Sequence, residues 1–259
     1  MKERKPLRSE MGWSTTETIT VRGHDLPSQL LGKIDLGGMA WLEITGRMPN
    51  PQEAEVFNAL LVTLVEHGMT PQAIASRLIS ICAPEAMQAS VAAGLCGVGS
   101  VFAGGSEQIA RVLQDALKDK DASADLDAMA AVIVEDHTKR KAPIPGIGHP
   151  LHKPIDPRTP VLFGIAEKNG FRGRYVALLE AISKTAEKKL NRTLPINATG
   201  AIGAILSELG FPWRICRGVA IIGRAVGLVG HIAEEMRNPI AYEIYERAEK
   251  EVAENGLAK

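Results

Sequence analysis

Apolar residues along most of the chain recur at helical spacing. Between Pro51 and His67 the positions Val56, Phe57, Leu60, Leu61, Leu64 and Val65 form a stripe repeating every four residues, which marks one buried face of a helix. Its start is signalled by Asn50 as a cap, Pro51 at the first helical position and Glu53 where a capping-box acid stands. Thr70-Pro71 opens a segment to about Ile81, and Pro84 opens another toward Phe102. Asp156-Pro157 opens one that stops near Asn169-Gly170. Further helices are expected at about 105–118, 123–136, 173–190, 197–209, 213–236 and 239–254. Period-two alternation is confined to Thr18-Ile19-Thr20-Val21, a short strand or an extended entry. The expected fold class is all-α.

Composition narrows the classes of function. A chain of 259 residues can form a large domain with a small one, and 45 % apolar residues exclude disorder. Aromatics at 4 % leave an all-β sandwich without its usual filler. Thirty basic residues balance thirty acidic ones, so no excess positive charge is available for a nucleic-acid backbone. Cys82, Cys96 and Cys216 form no CxxC pair and lie in apolar stretches, which reads as three buried thiols in a reducing compartment. The charged start Met1-Lys2-Glu3-Arg4-Lys5 lacks an apolar run, so no leader is expected. Ile215 to Ile232 is apolar enough to suggest a membrane span, but Arg217, Arg224, His231 and four glycines favour a buried helix. The expectation is a cytoplasmic protein with no membrane partner.

Candidate chemistry concentrates where helical patterning fails. His137 to Asp156 carries Pro143, Pro145, Gly146, Gly148, Pro150 and Pro154, and a loop of that kind inside a helical chain is a natural hinge and functional site. Within it, His149 follows two glycines that let a ligand approach the backbone; the plain alternative is a turn with an exposed histidine. Arg158 falls in the first turn of a helix, where the dipole disfavours a cation by about 0.3–1 kcal/mol unless an anion joins it. Arg224 interrupts an apolar run and needs an acidic partner, either a structural ion pair or a carboxylated substrate. Gly223, Gly227 and Gly230 share one face of that helix and permit close packing or a nearby ligand. His67, before Gly68, reads equally as a helix cap. No histidine pair shows metal-ligand spacing with acids in register, and His149 and His152 sit in a proline-rich loop, so no metal is expected.

These residues carry a family resemblance. Gly146-Ile147-Gly148-His149 with Asp156-Pro157-Arg158 resembles the G-x-G-H and D-P-R signature of the citrate synthase superfamily. Ile19 to Leu26 and Gly46-Arg47-Met48-Pro49 resemble its N-terminal pattern. Glu66 to Pro71, Gly99 to Phe102, Gly148 to Pro154, Leu194 to Asn197 and Gly223 to His231 are similar to the short citryl-CoA lyase branch, itself related to the C-terminal part of ATP-citrate lyase. The likeness spans about residues 18 to 245.

The resemblance implies a multi-helical fold with a large and a small domain, a site in the cleft between them, and a homo-oligomer built from dimers. The implied division is an extended segment at 1–20, a large domain from 21–136 and 211–259, and a small domain at 137–210. It also implies an enzyme that joins or cleaves a carbon–carbon bond between an acyl-CoA of acetyl-CoA type and a keto acid of oxaloacetate type, with coenzyme A ester as substrate and no metal or prosthetic group. By matching positions, His149 would bond the oxygen that is carbonyl in oxaloacetate and hydroxyl in the citryl unit. Arg158 and Arg224 would bind carboxylates, and His67 would be the second site histidine. The backbone at Pro145, Gly146, Ile147 and Gly148 would receive coenzyme A, with Lys153 for its phosphates.

Two departures matter. Phe102-Ala103-Gly104-Gly105 stands where citrate synthases carry a histidine in L-H-G, an absence the lyase branch shares. Asn197-Ala198-Thr199-Gly200 stands where the family has N-V-D-G, so Thr199 replaces the catalytic aspartate. A threonine hydroxyl is no base near neutral pH, and losing a positioned base costs about 10²–10⁴-fold in rate. Three outcomes stay open: another group or water moves the proton, the substrate differs, or the chain binds acyl-CoA without turnover. A CoA-thioester hydrolase is a further alternative.

Overall fold

The computed structural model describes residues 7–256, which divide into two compact units, one ending at Ala59 and the other beginning at Leu60. The charged start at Met1–Lys5 lies outside the described residues. In the first unit the alternating segment is a strand, β2 (Ile19–Val21), the middle of a small antiparallel sheet with β1 (Gly12–Ser14) and β3 (His24–Asp25). One π-helical turn at Leu26–Leu30 leads to α1 (Leu36–Thr45). The sequence reading missed α1 because Gly37 and Gly38 weaken its pattern. Its ends are nonetheless marked: Asp35 Oδ1 accepts from the Gly38 amide at 2.6 Å, and Gly46 takes a left-handed φ of 78°. Trp41 meets the Phe57 ring edge-on at 5.4 Å, with Leu30 and Leu42 buried in the same unit.

Asn50 opens α2 (Pro51–Val65) as its sequence predicts. Its Oδ1 accepts from the Glu53 amide at 2.8 Å, and the Glu53 carboxylate accepts from the Asn50 amide at 2.9 Å. The second unit continues with α3 (Pro71–Cys82), α4 (Met87–Cys96), α5 (Gly105–Leu117), α6 (Leu126–Lys139) and α7 (Arg158–Lys168). It closes with α8 (Arg174–Leu190), α9 (Ala198–Glu208), α10 (Trp213–Glu235) and α11 (Ala241–Asn255). Within it α3 packs on α4 and α10, α5 on α9 and α10, and α6 on α8. Both domain boundaries expected near 136 and 210 lie inside this unit.

Two expectations are corrected. The helix opened at Pro84 begins at Met87 and stops at Cys96, because Gly97 and Gly104 bracket Val98 to Ala103, itself interrupted by Gly99, in a loop whose apolar residues resembled helix in sequence. Cys82 and Cys96 are exposed: each ends its helix on an outward face. Only Cys216 is buried, and burial pushes its thiol up to about 12. The apolar α10 is long enough to cross a bilayer, yet half of it is buried within the fold, Arg224 and His231 included.

The buried helix α9 organises the loop before α7. Gly146 has φ +77°, and a Cβ on Gly200 would stand 2.4 Å from the Gly146 carbonyl oxygen, so the two backbones touch. Hydrogen bonds run from the Asn197 amide to Gly146 O (3.0 Å), from the Gly148 amide to Pro195 O (2.7 Å) and from Asn197 Nδ2 to Gly148 O (2.7 Å). The far end of the loop is tied by Asp156, whose Oδ2 accepts from the Ala198 amide at 2.9 Å. Arg158 grips the same carboxylate through Nε at 2.9 Å and Nη2 at 2.8 Å. Burial pushes this carboxyl up, but Arg158 and the Ala198 and Arg158 amides outweigh it and hold it at about 2.

Gly200→Ala is expected to cost about 1–3 kcal/mol through the backbone clash, read as a lowered melting temperature. Asp156 has a depressed folded-state value, so its contribution is complete above its ordinary 3.8 and is lost as pH falls toward about 2. Denaturant unfolding of wild type and Asp156→Asn is expected to show a stability gap at pH 7 that closes across that window.

Candidate active site

α10 meets the end of α2 through glycine. A Cβ on Gly223 would stand 2.8 Å from Leu61 O, and one on Gly227 would stand 1.9 Å from Val65 O. These glycines are therefore packing residues, and they bring Arg224 alongside His67, just beyond the end of α2. Glu66 shapes that corner: its Oε1 accepts from the His67 amide at 2.9 Å and from the Gly68 amide. Its Oε2 lies 2.9 Å from His231 Nε2, too oblique for a straight hydrogen bond. His231 Nδ1 in turn accepts from Arg77 Nε at 3.1 Å, and Arg77, only 1 % exposed, also binds Glu235 at 2.7 Å and Glu234. No spacing rule in the sequence reveals this network.

A cavity of about 760 Å³ opens at this corner. His67, His149, Arg158, Thr199 and Arg224 all line it, together with Gly148. Pro145, Gly146, Ile147 and Lys153 do not: the first three form the loop backbone against 195–200, and Lys153 is exposed. One wall is Val101, Phe102 and Ala103, the stretch misread as helix.

The two arginines are treated differently. Arg158 already has a carboxylate, so the anion that offsets its place in the first turn of α7 is the internal Asp156. Arg224 is 7 % exposed and has no ion pair among the described residues, and its Nε and Nη1 lack any hydrogen-bond partner. Burial, with Arg158 nearby, loosens its proton and Glu66 partly restores it, but a guanidinium stays charged. A buried unpaired cation is costly unless a ligand completes it. The structural ion pair weighed as an alternative is absent among the described residues.

Hydrogen bonds assign the tautomer of His149. His149 Nδ1 accepts from the Leu151 amide at 3.1 Å and the His152 amide at 2.9 Å, which puts the proton of the neutral ring on Nε2. Burial lowers its pKa, as do His152, Arg158 and His67, against a smaller pull from Asp156. His67 is lowered by burial and then by Arg158, His152 and Arg224. The His67 and His149 ring centroids are 6.0 Å apart, and His152 stacks on His149 at 4.3 Å.

Ring nitrogens of all three lie within 4.8 Å of one another, a grouping compatible with a metal that the sequence spacing did not disclose. Two features of the donor set oppose a cation: the amides leave His149 Nε2 protonated, and two guanidiniums line the same cavity. Thr199 Oγ1 donates to Asn197 Oδ1 at 2.7 Å. No Asp or Glu is among the described residues lining the cavity. His152 escaped the sequence reading as a site residue; its signal was its place three residues after His149.

Comparisons with known proteins agree with this arrangement. The family model for the citrate synthase C-terminal domain matches residues 29–246. The structure of citryl-CoA lyase from Hydrogenobacter thermophilus is 31 % identical with a TM-score of 0.80, covering 90 % of this chain and 88 % of that one. An ATP citrate lyase from Methanosaeta concilii, in complex with (3S)-citryl-CoA, shares the fold at a TM-score of 0.74 and 22 % identity, over 92 % of this chain and 40 % of that one. A probable ATP-citrate synthase of Dictyostelium discoideum is 26 % identical over 220 residues, 79 % of this chain, which spans 34 % of that protein's length. The chain belongs to the citrate synthase family, in its citryl-CoA lyase branch.

Proposed function

We propose that the cavity holds a 3-hydroxy-3-carboxyacyl-CoA and cleaves it, or forms it, between the acyl-CoA and keto-acid halves, with citryl-CoA as the leading substrate. The carrying observation is Arg224, a buried guanidinium with two nitrogens unpartnered among the described residues, in a cavity with no acid among its described lining residues. In this reading a substrate carboxylate completes Arg224, and Arg158 offers a second positive group whose orientation Asp156 holds. His149 donates Nε2–H to the oxygen that changes between hydroxyl and carbonyl. The coenzyme A arm is assigned to the Gly146–Gly148 backbone, with Lys153 near its phosphates. A site within a homodimer-based assembly, and 137–210 acting as the smaller lobe, belong to the same proposal.

A second reading is favoured by Thr199: with its hydroxyl donated to Asn197, the site binds acyl-CoA without turning it over. In that case calorimetry shows CoA-ester binding, wild type releases no oxaloacetate, and Thr199→Asp releases it.

Purified protein given citryl-CoA is expected to yield oxaloacetate in a coupled NADH assay, above a His149→Ala control. Arg224→Met is expected to weaken substrate binding about 10–100-fold, by loss of a charged hydrogen bond. Its melting temperature is expected to hold or rise, since an uncompensated charge is removed. Protonating His149 at Nδ1 means breaking the two hydrogen bonds that it accepts from the Leu151 and His152 amides. Because its pKa is lowered, the acid limb of the kcat/KM profile is expected below the ordinary 6.5 of histidine.

A further inference from the structure

Cleavage of a 3-hydroxyacyl-CoA conserves protons. The proton removed from the hydroxyl equals the one needed at the α-carbon of the product thioester, so one base that takes it and returns it completes the reaction. The cavity restricts which group that is. Thr199 is committed as a donor, the arginines have no lone pair to offer, and His149 Nδ1 is occupied by two amides. Of the described lining histidines, His67 alone has both ring nitrogens free of protein hydrogen bonds; on His149 only Nε2 is free, and it carries the ring proton.

We propose, building on the cleavage reading above, that His67 takes the place of the family aspartate as a single proton shuttle. A free ring nitrogen of His67 accepts the hydroxyl proton. The O–H electron pair becomes the new carbonyl bond, the carbon–carbon bond breaks, and its pair passes into the enolate of the thioester. The imidazolium then returns the same proton to the α-carbon, so His67 ends neutral and no co-reactant is consumed. His149 Nε2–H steadies the oxygen without giving up its proton.

The surroundings of His67 suit both halves of the cycle. Arg158, Arg224 and His152 face it and favour the neutral, accepting form, while Asp156 opposes them weakly. The Glu66 carboxylate accepts from the His67 amide, holding the backbone in place. Its place beyond the end of α2 and its exposure make side-chain exchange compatible with folding.

The test uses the full chain and citryl-CoA, with oxaloacetate release as readout and calorimetric CoA-ester binding as the control for an intact site. His67→Asn is expected to lose about 10²–10⁴-fold in kcat while still binding. Adding Thr199→Asp is expected to return most of that loss, because a carboxylate again carries the proton. The same addition to His149→Ala is expected to return none. A folded, binding His67→Asn that keeps the wild-type rate overturns the shuttle and leaves the cleavage reading standing. So does a folded, binding double variant with no recovery, which would make His67 a substrate-binding group. A wild type that cleaves neither citryl-CoA nor other 3-hydroxy-3-carboxyacyl-CoA esters overturns the cleavage reading and the shuttle with it.

Discussion

Gly146 and Gly200 touch backbone to backbone, and the candidate site depends on that contact. A side chain on either would strike the other segment within 2.6 Å. Because neither has one, the proline-rich loop lies directly on the start of α9 and exchanges hydrogen bonds with residues 195–197. That register places Gly148 and His149 over the cavity. It also lets the chain return at Asp156 to the first amide of α9 before Arg158 begins α7. Glycine here serves close approach, and at Gly146 a left-handed φ as well.

Electrostatics then divides the cavity's cations into one held and one waiting. Asp156 satisfies Arg158 and fixes its direction, while Arg224 enters from a helix whose glycines are pressed against α2, and it meets no carboxylate at bonding distance. The same unbalanced positive charge acts with burial to keep His67 and His149 neutral. Two guanidiniums and no acid among the described lining residues give the cavity a positive balance that favours an anion.

Much of this was legible in the sequence where the signal is local. The Asn50–Glu53 box, the Thr70-Pro71 start and the Asn169-Gly170 stop each depend on residues within a few positions, and the helices formed where those signals stood. The region Val98 to Ala103 failed because an apolar loop lining a cavity has the composition of a buried helix. The α1 helix failed for the opposite reason: paired glycines diluted a pattern that Asp35 and Gly46 delimit. At the site, His67, Gly148, His149, Arg158, Thr199 and Arg224 line one cavity, while Pro145, Gly146, Ile147 and Lys153 do not. The partner of Arg158, the lack of one for Arg224, the tautomer of His149 and the approach of His152 are tertiary facts. Each depends on distances between segments that no spacing encodes.

A Cβ at Gly105 would stand 2.6 Å from Thr199 Oγ1, so the bare backbone at the start of α5 leaves room for the threonine at the start of α9. Asn197 caps α9 through the Gly200 amide at 3.0 Å and accepts the Thr199 hydroxyl at the same oxygen. The threonine is thus built into the helix cap, whereas an aspartate there would bring a second acceptor toward Asn197 Oδ1. Position 199 therefore presents a capped, neutral helix end to the cavity.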